Sequence, residues 1–483
     1  MPASHQDATR LYDSAEQAIA LDGLASRHSL DTTTSSDLDH LLSDDGDEDA
    51  SSISSSSSPQ NGPPVDGGRQ AWTFLLGCWL IEAMIWGFAL SFGVFQRYYS
   101  AHPFFKEDSA RIPLIGTLAT GVSYLGMPFT NAFCLRLGPR GRRIMCAVGW
   151  GMCVLGLLGA SFATEVWALV VWQGLVYGCG WVVCYTPFLF MLNDWFVERR
   201  GLAYGILFGA SGVSGMVIPL VLGWMLDGFG FRTALRVFAI AILLVSGPGL
   251  LLVRPRKPGT ECLERDRMRR EGGVRRLLRR ASDRDFLLMA AAVFTQGLGF
   301  FVPNIYIASY AEDLGLSRTT GSALLAIVSL SQVAGQTWQG WISDRVNIYL
   351  PVSISGLAPG LGALFLWGPA KGFWSLVAFS ALWGFFSASY SVLYTRMCTY
   401  LTAEKGRQGA DDEAAMLIYG LFSFERGISN ILEGPVSSSL MDDGAPVIAN
   451  SFGLGRYAAV VWYTVVCMLV SSMVGVGWVW RPK

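Results

Sequence analysis

Ionised side chains inside long apolar stretches are the residues of this chain best placed to do chemistry. Glu82 stands in Trp79-Leu80-Ile81-Glu82-Ala83-Met84-Ile85-Trp86. It is about ten residues into an apolar run, or ~15 Å at 1.5 Å per residue, close to the middle of a ~30 Å hydrocarbon core. Glu425 and Arg426 lie midway along another such run, and Glu433 follows Arg426 by seven residues. Seven residues is nearly two helical turns, so Arg426 and Glu433 share a face, while Glu425 points about 100° away. An ionisable group at that depth costs about 2.5–3.5 kcal/mol on insertion scales, so each needs a partner or a purpose. Arg426 can hold a carboxylate bidentately. Glu82 can carry a coupling proton, because burial favours the neutral carboxyl. A structural Glu–Arg pair that touches no solute is the competing reading for both.

Uncharged polar residues extend the pattern. Ser329, Gln332 and Gln336 follow three- and four-residue steps along one helix face. Gln296, Asn304, Tyr306, Tyr185, Asn193, Tyr390 and Tyr394 mark other apolar runs. Arg426, Gln332, Gln336, Asn304, Tyr306 and Tyr185 are therefore the expected substrate-binding set, and Glu82 the proton-coupling residue. Helix–helix hydrogen bonding accounts equally well for any single uncharged member.

Enzyme constellations are missing from the sequence. No GxxxxGK[ST] phosphate loop occurs, so ATP drive is not expected. The four histidines, His5, His28, His40 and His102, all fall outside the apolar runs, and the nine cysteines form no CxxC or Cys/His cluster. We expect no enzyme activity, no cofactor and no metal. The expected partners are a small-molecule solute, a proton as coupling ion, and the lipid bilayer; nucleic acid is not among them.

The elements that must position these residues are spanning helices. The chain of 483 residues is 52% hydrophobic and only 15% charged, too little charge to cover a soluble domain of that size. Runs of about 20 apolar residues fall at 72–96, 113–134, 144–163, 167–192, 202–226 and 235–253. A second set falls at 286–310, 322–342, 350–368, 373–395, 415–436 and 457–480. The expected fold is an all-α membrane protein of twelve transmembrane helices in two six-helix bundles. Residues 66–253 form the first bundle and 286–483 the second. A polar, Ser- and Asp-rich tail over 1–65 reads as disordered, and a basic linker spans 254–285.

Arg136, Arg140, Arg142, Arg143, Arg199, Arg200 and the arginines between Arg254 and Arg284 cluster in the even-numbered links. By the positive-inside rule those links and both termini are cytoplasmic. The plasma membrane is expected over the vacuolar membrane. An internal repeat supports two halves: Tyr204, Gly205, Gly212 and Ser214 recur as Tyr419, Gly420, Gly427 and Ser429, each 215 positions on.

Three passages resemble a known group. Asp66-Gly67-Gly68 precedes the first span. Trp195-Phe196-Val197-Glu198-Arg199-Arg200-Gly201-Leu202-Ala203-Tyr204-Gly205 leads into the fifth, and Gly340-Trp341-Ile342-Ser343-Asp344-Arg345 closes the eighth. From about residue 65 onward the chain resembles the major facilitator superfamily, and within it the monocarboxylate-porter family, especially fungal members. The resemblance implies the two-bundle fold and solute transport by alternating access. Asp344, Arg345, Arg199 and Arg200 are expected to gate, latching helices on the cytoplasmic side, with simple topology charge as the competing reading for the arginines.

Departures from the family pattern bear on coupling. Proton-coupled animal members carry an Asp and an Arg four residues apart in the eighth span; Gln332 and Gln336 stand there. The first-span lysine of that branch is also missing. The resemblance thus implies the fold without implying lactate–proton symport. The expected function is secondary transport of a small organic anion, a monocarboxylate or acidic metabolite. Export of a secondary metabolite is the alternative. A non-transporting membrane sensor on the same fold is the alternative of another class.

Overall fold

The computed structural model of the chain describes residues 64–256, 283–403, 412–441, 446–448 and 451–475. The expected tail over 1–65 lies almost wholly outside them, as does most of the expected linker over 254–285. Every regular element among the described residues is helical. That is the local answer to an apolar solvent, since a helix satisfies its backbone hydrogen bonds within one segment.

In chain order the first elements are α1 (Gly68–Leu90), α2 (Phe92–Ala101), α3 (Pro113–Leu125), α4 (Met127–Cys134) and α5 (Pro139–Ala160). α6 (Val166–Leu169) runs through a wider turn at Val170–Val176 into α7 (Tyr177–Trp195), and α8 covers Arg200–Leu252. Then come α9 (Arg284–Gly299), α10 (Val302–Asp313), α11 (Arg318–Ser343), α12 (Tyr349–Gly362), α13 (Phe373–Phe386), α14 (Leu393–Thr402), α15 (Asp412–Leu440) and α16 (Ala458–Ser472).

Among the described residues eight helical segments are long and apolar enough to cross a membrane, where the sequence leads us to expect twelve spans. The difference has physical causes. α8 carries two of the expected spans in one element. Straight, its 53 residues would reach about 80 Å, but Gly230, at φ 76° and ψ 167°, breaks it. Only glycine takes that conformation freely. Pro113–Leu125 is apolar but short. α11 and α15 are long, yet Gln332, Gln336 and Gln339 dilute the first and Glu425, Arg426 and Glu433 the second. The two helices that fall short on apolarity both carry expected site residues, Gln332 and Gln336 on α11 and Arg426 on α15.

Large apolar side chains, including Leu76, Leu220, Trp224, Leu244, Phe365 and Trp374, are exposed on the outside of the helix array. So much exposed apolar surface suits lipid and not water. This is an integral, multi-pass membrane protein.

Two close seams hold the array together. α8 lies along α11, and α15 lies along α3 and α4. Glycine makes both possible. A Cβ on Gly205 would strike the Gln336 backbone oxygen, and one on Gly212 would come within 2.7 Å of Val333 and 2.9 Å of the Ser329 oxygen. On the other seam, a Cβ on Gly420 would come within 2.8 Å of Asn131 Nδ2, and one on Gly427 within 2.9 Å of Tyr124 Cβ. The residues 215 positions apart in sequence thus do the same work on different seams.

Candidate substrate site and helix clamp

Arg426 is 6% exposed, midway along α15. Its guanidinium donates to Gln296 Oε1 on α9 and lies 4.1 Å from the centre of the Phe300 ring. Among the described residues no carboxylate forms an ion pair with it. A cation over a desolvated aromatic face gains about 2 kcal/mol, comparable to the cost of burying it, so neutral partners can hold it in place.

Glu433 shares the face of Arg426, as the spacing requires, but is occupied elsewhere. It is 1% exposed, and its Oε1 accepts from the Val302 N–H at 2.6 Å. That amide opens α10, so a carboxylate from α15 caps a helix start that no local side chain satisfies. Glu433 remains within electrostatic reach of Arg426 without pairing to it. Glu425 is half-buried, and its Oε2 makes no hydrogen bond to protein.

Glu82 is 2% exposed on α1. Around it stand Cys78 and Trp86 from its own helix, Tyr124 from α3, Tyr185 from α7 and Tyr419 from α15. Trp86 lies 6.0 Å from Tyr124 and 5.0 Å from Trp181, ring centre to ring centre. Trp181 stacks on Tyr185 at 4.7 Å, and the Tyr185 hydroxyl is 3.5 Å from that of Tyr419. Tyr124 joins the two charges, being within electrostatic reach of both Glu82 and Arg426 and seated on Gly427.

The other expected residues do not converge on Arg426. Tyr185 belongs to the aromatic cluster. Gln332 reaches Ser211 Oγ at 3.3 Å on the α8–α11 seam, and buried Gln336 lies one turn further along that seam, its Oε1 without a protein partner. Tyr306 contacts Ser437 at 3.5 Å; Ser437 is eleven residues past Arg426, roughly 16 Å along α15. Asn304 is half-buried two residues past Val302. Gln296 and Phe300 contact Arg426, Tyr394 lies within hydrogen-bonding reach of it, and Tyr124 and Tyr390 lie within electrostatic reach. Sequence reasoning marked Gln296, Tyr390 and Tyr394 as polar points and missed Phe300 and Tyr124. Phe300 does not differ in type from its apolar surroundings, whereas Tyr124 carries the same polar hydroxyl as the tyrosines that were marked.

At one end of the array, one carboxylate grips the turn before α8 and another the first turn of α8 itself. Asp66 accepts from the N–H groups of Val197 at 2.8 Å, Glu198 at 3.0 Å and Arg199 at 2.9 Å. Asp344, just past α11, accepts from Gly201 at 2.9 Å and Leu202 at 2.9 Å. Backbone donors at a helix start carry partial positive charge, so carboxylates bind them well. Arg396 of α14 stands 3.5 Å from Asp344. Burial pushes the Asp344 carboxyl up from its usual range, against the pull of the two amides and Arg396.

Arg200, 4% exposed, pairs with Asp412 at 2.9 Å and donates to the Phe196 and Asn193 carbonyls. Of the other expected gating residues, Arg345 lies within electrostatic reach of Asp344, and Arg199 joins the clamp through its backbone N–H. Arg345 folds back over the Trp341 ring at 4.0 Å, and Arg199 is exposed. Asp412 and Arg396 join the clamp without having stood out in the sequence, and Asp66 was marked there only as part of a motif. Its φ of 58° is one of two positive values outside glycine among the described residues, which fits a carboxylate turned back on a loop.

Fold and site together define a multi-pass helical membrane protein with a charged, aromatic-lined interior. The chain belongs to the Major Facilitator Superfamily, whose family model matches residues 74–432, and is a secondary transporter. Monocarboxylate transporter 13 of Rattus norvegicus is 28% identical over 388 residues, 78% of this chain and 84% of that protein. The MFS transporter asaE of Aspergillus flavus is 27% identical over 74% of this chain and 80% of its own length. The Fujikurins efflux protein of Gibberella fujikuroi is 29% identical over 68% of each. Monocarboxylate transporters and fungal relatives together agree with the resemblance found in the motifs. Among solved structures, the Escherichia coli fucose:proton symporter FucP is similar with a TM-score of 0.60 at 14% identity, covering 84% of this chain and 98% of that one. The proton:xylose symporter XylE gives 0.59 at 12% identity, with 85% and 96% covered.

Proposed function

We propose that this transporter moves a small organic anion, a monocarboxylate or other acidic metabolite, by alternating access, with Arg426 holding the anionic group. The observation that carries this reading is a buried arginine at mid-helix, supported by an amide and an aromatic ring in place of a counter-ion. In our reading twelve spans form two six-helix bundles over 66–253 and 286–483. α8, broken at Gly230, supplies two spans, and α3–α4, α11 and α15 supply three that apolarity alone does not single out. Glu82 is the proton-coupling group; the titratable and charged groups facing it are Cys78, Tyr124, Tyr185 and Tyr419, with Arg426 beyond Tyr124. The clamp of Asp66, Asp344, Arg200 and Asp412 closes the cytoplasmic end, where both termini lie, and the plasma membrane is the proposed location.

Export of a secondary metabolite is the second reading, favoured by similarity to a protein named for fujikurin efflux. Both readings keep the same site and differ in direction and in the size of the solute. The test is untargeted comparison of metabolites inside and outside cells that make the native protein, Arg426→Gln or none. An acidic metabolite redistributed only by the native protein supports the reading. Redistribution that survives Arg426→Gln removes the role of Arg426.

A further inference from the structure

We propose that the solute held at Arg426 carries an aromatic or conjugated ring, which stacks on Trp86 and Tyr124. This inference deepens the anion-carrying reading above and rests on it. Around the two buried charges, aromatic rings come from α1, α3, α7, α14 and α15, and from Phe300 just past α9. They fall into two kinds. Trp181 and Tyr185 are buried and stacked on each other at 4.7 Å and 19°, so each has one face occupied. Trp86 and Tyr124 are only half-buried, though they adjoin Glu82, which is 2% exposed. Among the described residues neither is stacked in parallel on a neighbour: Trp86 meets Trp181 at 82° and Tyr124 at 58°, and Tyr124 meets Trp181 at 57°.

Rings with tilted neighbours, next to a buried cation, can offer a face to a flat guest. Aromatic faces prefer offset-stacked or edge-on partners with centroids about 4.5–7 Å apart, so a planar ring gains specific contact there. A short aliphatic acid would satisfy Arg426 and leave these faces unused. Tyr124 sets the distance between the two functions, because it sits on Gly427, the residue after Arg426. A ring directly bonded to its carboxylate can therefore lie against Tyr124 while its oxygens meet the guanidinium. Trp86, one turn past Glu82 on the same face of α1, extends the surface for a second fused ring.

The test uses purified full-length protein and four probes: propionate, cyclohexanecarboxylate, 2-naphthoate and neutral 2-naphthylmethanol. Binding is read as protection against thermal unfolding and flux in proteoliposomes. We expect 2-naphthoate to outrank cyclohexanecarboxylate, which controls for bulk and apolarity. Trp86→Leu should lower the 2-naphthoate to cyclohexanecarboxylate ratio roughly three- to tenfold, and Trp86→Phe should restore most of it. If the two cyclic acids bind alike, or Trp86→Leu leaves their ratio unchanged, the aromatic inference is overturned while the anion reading stands. Binding of 2-naphthylmethanol without any of the carboxylates overturns both.

Discussion

Replacing Asp344 by Asn tests whether the clamp on α8 is a gate. The carboxylate accepts from two amides at 2.9 Å each and faces Arg396 at 3.5 Å. Asparagine keeps one acceptor oxygen, turns an NH₂ toward a backbone N–H, and removes the charge that Arg396 meets. A hydrogen bond to a charged group contributes about 1.5–3 kcal/mol, so one lost and one weakened bond amount to roughly 2–4 kcal/mol. Since 1.4 kcal/mol is tenfold, the ratio of clamped to unclamped protein should fall on the order of 30- to 1,000-fold.

A cysteine introduced at Val333 reports on this. Val333 packs against Gly209 and Gly212 on the α8–α11 seam and becomes reachable by an aqueous maleimide when the seam parts. In proteoliposomes, Asp344→Asn should raise the alkylation rate of Val333→Cys at least tenfold. Asp66→Asn offers a contrast. Asp66 also grips the turn, but it precedes α1, which itself lies along α8. It should lower thermal stability with a smaller effect on alkylation. Unchanged alkylation in Asp344→Asn, with flux intact, would show that the clamp is structural and that gating lies elsewhere.

Three further outcomes follow from the same geometry. Glu82→Gln keeps the shape of the site and removes its proton, so flux should lose its pH dependence while solute protection against unfolding persists. Gly427→Val places a branched side chain where a single Cβ already comes within 2.9 Å of Tyr124. Overpacking of about 1–3 kcal/mol should hold the α15–α3 seam apart and abolish flux, with membrane insertion intact. Glu433→Gln retains an oxygen for the Val302 amide and should leave stability within about 1 kcal/mol, whereas Glu433→Leu should lower it by roughly 1–3 kcal/mol in thermal melts of the solubilised protein.

The lipid-facing helices were readable from the sequence because a long apolar run has few other uses. α5, α12 and α16 are cases in which composition and structure agree. Two separate apolar runs, 202–226 and 235–253, fall within α8, and the Gly230 backbone between them breaks the rod there. That Glu82 and Arg426 stand inside long helices also followed from counting residues. Their partners did not, since periodicity gives the face of a helix and not the helix across from it. Arg426 shares a face with Glu433 as expected, yet its contacts are Gln296 and Phe300, 130 and 126 positions away in the chain. Asp344 stood out as an acidic residue at a helix end, whereas its partners are backbone amides of another helix, groups that every residue but proline has and no sequence pattern can single out.

The most direct measurement compares proteoliposome flux of one carboxylate by native protein, Arg426→Lys and Arg426→Gln. Removing one side of a buried, hydrogen-bonded charge pair costs about 2–5 kcal/mol, so Arg426→Gln should lose on the order of a hundredfold in transport efficiency. Arg426→Lys should fall between, keeping the charge without the planar fork. Equal flux from all three proteins would contradict the assignment of Arg426 as the anion's partner.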